Sequence, residues 1–164
     1  MRFVVQHKRA VYINFLVVLF SLAIYPFLSL YTLFKYLTNE LFPEDIILAL
    51  QGNPEEFLEP KSIEAIIEAI HIESFLSIIL FITLLSIFIR VNLPDKVKIY
   101  VSIILFIFYI TYIFSIFAVR FGLNFFSYTY FISFIGFIFL AFGINTINLF
   151  AFLTGKIKWE QYRY

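Results

Sequence analysis

Four stretches of this chain are long, apolar and free of charged residues, and they decide what it can fold into. They cover residues 10–34, 74–89, 99–119 and 126–154. A helix needs about 20 residues to cross the hydrocarbon core of a bilayer. Charged residues make up only 14% of the chain, against about 25% in a soluble domain. The sequence therefore predicts an all-α polytopic membrane protein, a four-transmembrane-helix up-down bundle that forms one membrane domain over residues 1–164 and contacts the lipid bilayer.

The predicted spans lie at about residues 11–37, 72–90, 99–119 and 126–154. The first follows a basic start, as in a signal peptide, but its apolar run exceeds the about 7–15 residues of a signal core. Pro26 lies near its middle and predicts a helix kink, because proline removes a backbone hydrogen bond. The second uncharged run is short, since 16 residues rise only about 24 Å in a helix. We therefore expect Glu73 to reach the edge of the membrane.

Residues 38–71 form an acidic segment between the first two spans. Nine of the eleven acidic residues lie between Glu40 and Glu73. Pro43 followed by two acids predicts a short helix that Gly52 ends. Ser62 is expected to cap an amphipathic outer helix that continues without a break into the second span.

Lysine and arginine counts predict the orientation. The N-terminus, the 90–98 loop and the C-terminus hold nine of the twelve basic residues, whereas the opposite side holds three, Lys35, Lys61 and Arg120. Cytoplasmic loops carry the excess of Lys and Arg. Both termini are therefore expected in the cytoplasm and the acidic segment outside, in the inner or plasma membrane of a prokaryotic cell.

The acidic segment contains one candidate ligand or metal site. Glu68 and His71 share a helix face, with Glu64 one turn earlier and Glu73 close by. Carboxylate and imidazole at this spacing bind metal in di-iron bundles, so a divalent metal would suit the set. With one such pair, the alternatives are the solvated face of an interfacial helix and a protonation role for His71 together with Glu73. Arg120 is the expected ion-pair partner of Glu73. No cofactor is required by the sequence.

A second candidate site lies among polar residues of the spans at similar estimated depth. The set is Asn14, Thr83, Ser86, Ser102, Asn145 and Asn148. Hydrogen bonds between helices, each contributing about 0.6 kcal/mol, explain such residues structurally. The functional interpretation is a small polar pocket open to the cytoplasm.

The acidic segment also resembles part of a known group of proteins. Phe42-Pro-Glu-Asp-Ile, Gly52, Pro60-Lys-Ser and His71-Ile-Glu-Ser-Phe are similar to the P-K-S…H-x-H-x-F segment of small bacterial four-helix membrane proteins of uncharacterised function. The resemblance covers residues 42–75 and implies a fold without an activity. Glu73 replaces the second histidine of the pattern, which makes haem ligation unfavourable.

The function classes are narrowed mainly by what the spans lack. No span carries a charge at its centre, which disfavours pumps and ion-coupled carriers, and no nucleophile and base stand together, which disfavours an enzyme. The leading prediction is a non-enzymatic accessory or sensor-like subunit whose acidic outer segment binds a cation, a ligand or a partner. The alternatives are a small oligomeric transporter or channel, and a redox-chain accessory that binds metal or haem through His71. Expected partners are other membrane subunits or further copies of the chain, and no nucleic acid.

Overall fold

The described part of the chain folds into five helices. The structure, a computed structural model, describes residues 7–53 and 57–154, with side chains at Tyr12 and from Phe15 onward. The helices are α1 (His7–Leu37), α2 (Pro43–Gln51), α3 (Ile63–Phe88), α4 (Asp95–Arg120) and α5 (Phe126–Leu153). The described residues contain no β-strand, and Asn53 and Leu58 form an isolated bridge.

Four of these helices are long and apolar enough to cross a membrane. The spanning segments are Phe15–Leu37, Ile63–Phe88, Asp95–Arg120 and Phe126–Leu153. They alternate in direction, so α1 and α4 end where α3 and α5 begin. The predicted all-α four-helix membrane bundle is therefore confirmed. We call the end that carries residues 38–62 the cap end.

Helix α3 begins as its sequence predicts. Ser62 accepts a hydrogen bond from the backbone nitrogen of Ala65 at 3.2 Å, which caps α3. From there α3 runs without interruption into the second span. Helix α1 also remains continuous through Pro26, and the kink there stays a prediction.

Helix α2 lies across the cap end of the bundle. Pro43 occupies its first turn, and its apolar residues Ile46 and Leu50 are both only 3% exposed because they pack towards α4 and α5. The Gln51 side-chain amide donates to the Val119 carbonyl oxygen at 2.7 Å and to Asn124 Oδ1 at 2.6 Å. These bonds attach the end of α2 to the α4–α5 turn.

Helix α5 is the centre of the bundle, since it packs against each of the other four helices. Helices α1 and α3, in contrast, have little direct backbone packing. They leave between them a cleft whose floor is α5. At the end opposite the cap, Val17 of α1, Ile87 of α3 and Phe152 of α5 pack together and close the cleft.

Candidate functional site

Four charged side chains meet at the cap end, and we call Lys35, Glu40, Lys61 and Glu73 the ionic cluster. Lys35 Nζ lies 3.0 Å from Glu40 Oε2 and 2.6 Å from Glu73 Oε1. Lys61 Nζ lies 2.7 Å from Glu40 Oε1. The Lys35 side chain is only 5% exposed, whereas that of Lys61 is 34% exposed. The cluster thus balances two positive and two negative charges around one buried lysine.

The chain reversal after α1 brings the first two members together. Asn39 has a φ of 52°, a left-handed conformation that asparagine tolerates better than most residues. This turn lets the Glu40 backbone nitrogen donate to the Lys35 carbonyl oxygen at 2.9 Å. The Glu40 carboxylate consequently lies beside the lysine at the end of the preceding helix.

Tyrosines from α4 and α5 complete the hydrogen bonding around the cluster. Tyr112 OH donates to Glu73 Oε2 at 2.6 Å, so both oxygens of this carboxylate have partners. Tyr130 OH donates to the Glu40 backbone carbonyl at 2.7 Å, and the two tyrosine rings lie 5.0 Å apart, centre to centre. Buried charges are tolerated when they are paired and hydrogen-bonded in this way.

The ionic environment also lowers the pKa of the Glu40 carboxyl group. Burial would raise this pKa, but the charge of Lys35 and the hydrogen bonds from Lys61 and Lys35 outweigh burial, and the pKa falls below its ordinary value of 4.5. A carboxyl group with a lowered pKa stabilises the fold above its unfolded-state pKa. That stabilisation is lost as the pH falls through the folded-state pKa.

We therefore expect acid to destabilise the protein partly through Glu40. In a series of thermal unfolding measurements in detergent, the unfolding temperature of the wild type should fall as the pH drops below about 4.5. Glu40→Gln should be less stable at neutral pH and should show a weaker dependence in this window. Glu44→Gln, which changes an exposed residue of α2, is the matched control. Equal slopes for wild type and Glu40→Gln would contradict the assignment.

Two cavities adjoin the cluster. The larger, about 320 Å³, lies under α2 and is lined by Lys35, Glu40, Lys61, Glu73 and Tyr130, with apolar walls from α2, α3 and α4. The smaller, about 250 Å³, lies in the cleft between α1 and α3. Glu73 lines both cavities. The site therefore offers charges of both signs next to apolar surface.

The structure corrects the partner predicted for Glu73. Its ion pair is formed with Lys35, and Arg120 instead donates from Nε to the Lys61 carbonyl oxygen at 3.1 Å. Arg120 ends α4 at the level of the segment that enters α3, whereas Glu73 lies about three turns into α3. The last turn of α1 reaches that depth, so the predicted Glu73–Arg120 pair is wrong.

The candidate metal residues do not gather around Glu73. Glu64, Glu68 and His71 are exposed, while the Glu73 side chain is 12% exposed and turned towards Lys35. Within residues 7–53 and 57–154, no group of three or more His, Asp or Glu side chains could hold a metal ion. Metal binding through His71 stays a prediction, without a third ligand among the described residues.

The polar residues of the second candidate site lie in the half of the bundle opposite the cap end. They form hydrogen bonds within one helix or between two helices. Asn145 and Asn148 of α5 are fully buried. Their side-chain amides donate to the Ser21 carbonyl of α1 at 2.8 Å and to the Leu84 carbonyl of α3 at 3.0 Å. The remaining described members bond to carbonyl oxygens of their own helices, namely Thr83, Ser86 and Ser102. The Asn14 side chain lies outside the described part, and the polar pocket open to the cytoplasm stays a prediction.

Comparison with protein families gives a match over most of the chain. A family model described as a transmembrane helical domain, Aq_1264_TM, matches residues 40–158. The matched range includes α2 to α5 and three of the four cluster residues, and it leaves Lys35 and α1 outside. No curated protein and no solved structure matches the chain.

Proposed function

The chain belongs to the Aq_1264_TM family of transmembrane helical domains, and from that premise we propose a non-enzymatic role as an accessory or sensor-like membrane subunit. Its ligand site would be the ionic cluster with the cavity beneath α2. The ligand would carry a charged group that competes for the ion pairs of the cluster.

One observation carries the proposal: a lysine that is 5% exposed holds two carboxylates beside a cavity of about 320 Å³. Withdrawing such charges from water costs several kcal/mol per ion, and apolar residues would often pack as stably. Ionisable residues within a membrane protein are therefore functional candidates by default.

The position of the cluster suggests how ligand binding could change the conformation that a partner protein contacts. Lys35 belongs to α1 and Glu73 to α3, two helices with little direct packing. A ligand that takes one member of this ion pair removes their link at the cap end. The separation of α1 and α3 would then report occupancy, because a ligand shifts a conformational equilibrium by its differential affinity for the two states.

Charge distribution supports an external position for this site. Nine of the twelve Lys and Arg residues lie in the N-terminal, 90–98 and C-terminal segments, and such an excess marks the cytoplasmic side. We place both termini in the cytoplasm and residues 38–71 outside. A ligand would then arrive from the cell exterior or the periplasm.

Spin labels can test the proposal, because the chain contains no cysteine. Leu33 of α1 and Ile72 of α3 are exposed and can be changed to cysteine for electron–electron distance measurements. Three small probes cover the relevant charges: ethanolamine, inorganic phosphate and phosphoethanolamine. We expect at least one of them to bind saturably and to alter the α1–α3 distance.

Matched variants separate site binding from general ionic effects. Lys35→Met/Glu73→Gln removes the interhelical ion pair while keeping the cluster neutral, and it should abolish the response. Glu68→Gln changes an exposed carboxylate of α3 and should preserve the response. Absence of saturable binding by all three probes, or binding unchanged in the double variant, would overturn the proposal. The transporter or channel and the redox accessory stay predictions.

A further inference from the structure

We propose that the ligand of the ionic cluster is a phospholipid with an ammonium-bearing head group, and that one of its acyl chains lies in the cleft between α1 and α3. This inference rests on the proposed function, since it names the ligand class of the same site. We choose a lipid of the bilayer because it can occupy both cavities, whereas a soluble ligand would occupy only the cavity under α2.

The arrangement of the two cavities is the first argument. The cavity under α2, which we call the polar cavity because all four members of the ionic cluster line it, and the apolar cavity in the cleft share Glu73 in their linings. The apolar cavity is otherwise bounded by Phe27, Tyr31, Leu76, Ser77, Leu80 and Phe137. A charged compartment next to an apolar one matches the two ends of an amphiphile.

The shape of the cleft is the second argument. Its rim faces the bilayer, since Phe27 is 37% and Leu76 40% exposed, whereas its floor is buried, with Phe137 only 4% exposed. Val17, Ile87 and Phe152 close it at the far end. The cavity in the cleft extends along α3 from Glu73 to Leu80, a rise of about 10 Å, while half of a hydrocarbon core is about 15 Å. The cleft can therefore hold the upper part of an acyl chain of one leaflet.

Charge complementarity is the third argument, and it selects the head group. The ammonium group of a ligand can compete with the lysines for Glu40 and Glu73, because a carboxylate accepts hydrogen bonds from any such donor. Lys61 is the most exposed cation of the cluster, makes one ion pair among the described residues, and can meet a phosphate. Because the cluster carries two charges of each sign, a zwitterionic head group fits it better than an anionic one, which would face two carboxylates.

Lipid competition measured by native mass spectrometry tests this inference. Purified protein is incubated in mixed micelles with equal amounts of dioleoyl phosphatidylethanolamine and dioleoyl phosphatidylglycerol, and the retained lipids are counted. We expect about tenfold preference for phosphatidylethanolamine, the size that one charge-assisted hydrogen bond provides. Glu73→Gln and Lys61→Gln should each reduce this preference, whereas Glu68→Gln should leave it unchanged.

Variants of the cleft test the acyl-chain part. Ser77→Phe fills the space beneath Glu73 and should reduce lipid retention, while Ser77→Ala should not. Should Ser77→Phe fail to fold, Leu76→Trp at the more exposed rim serves the same purpose. The phosphoethanolamine probe binds only the polar cavity, so its binding should survive a filled cleft.

The outcomes distinguish this inference from the function on which it rests. Equal retention of the two lipids, or a preference unaffected by both Glu73→Gln and Lys61→Gln, overturns the lipid assignment. If phosphoethanolamine still binds the cluster in that case, the lipid assignment fails and the proposed ligand site stands. If neither the lipid nor any small probe binds, both fail.

Discussion

Replacing Lys35 with methionine should lower the free energy of unfolding by about 3–5 kcal/mol, the usual cost of removing one partner from a buried ion pair. Methionine keeps most of the apolar length of the lysine side chain, so the lost charge dominates the effect. Glu73 would lose its ion pair and keep only the hydrogen bond from Tyr112, while Glu40 would keep Lys61. The measurement is reversible unfolding in mixed micelles, followed by circular dichroism.

Two further variants test whether the loss of stability in Lys35→Met comes from the buried ion pair. Lys98→Met makes the same chemical change in a pair whose acid, Asp95, is 91% exposed. It removes that ion pair and the hydrogen bond from Lys98 Nζ to the Ile89 carbonyl oxygen, and it should cost about 1–2 kcal/mol, less than Lys35→Met. Lys35→Met/Glu73→Gln removes the stranded carboxylate and should recover part of the stability. If Lys35→Met were as mild as Lys98→Met, the buried cluster would contribute little to the fold.

The membrane fold could be predicted from the sequence because a bilayer leaves few alternatives. A long uncharged run must form a helix, since unsatisfied backbone groups are too costly in hydrocarbon. The starts of two helices at the cap end could also be predicted from neighbouring residues. Ser62 caps α3, and Pro43 with two acids begins α2. What the pattern could not show is that α5, rather than a symmetric arrangement, forms the centre of the bundle. Packing of that kind depends on side-chain fit between elements distant in sequence.

The candidate site was predictable only in part. The expectation that Glu73 needs a partner followed from its position at the edge of an uncharged run, and the structure gives it one in Lys35. Glu73 lies about three turns from the start of α3. To choose Lys35 over Arg120 as its partner, one must know which helix end lies at the same depth in the bundle. Glu40 was missed as well, because its place beside Lys35 depends on the left-handed turn at Asn39. A lysine in the last turn of an apolar helix was the available signal.

The second large effect is expected at Gly52, where α2 ends against the segment that leads to Lys61. Gly52 has φ 77° and ψ 176°, a region that is essentially restricted to glycine and costs other residues about 1–3 kcal/mol. A Cβ atom there would lie 2.5 Å from the Leu58 carbonyl oxygen and 2.7 Å from the Pro60 nitrogen. Both are backbone atoms, so a whole segment would have to move.

Gly52→Ala should therefore reduce stability by more than the conformational cost alone, about 3 kcal/mol or more. It should also weaken phosphoethanolamine binding, because the displaced segment carries Lys61 into its contact with Glu40. Gly122→Ala is the matched control: Gly122 has φ 88°, but nothing lies within 4 Å of its added Cβ. The difference between the two variants in unfolding free energy isolates the steric overlap. Equal losses would mean that the backbone of residues 58–60 moves away from the added Cβ atom at no cost in free energy. In that case α2 does not fix the position of Lys61.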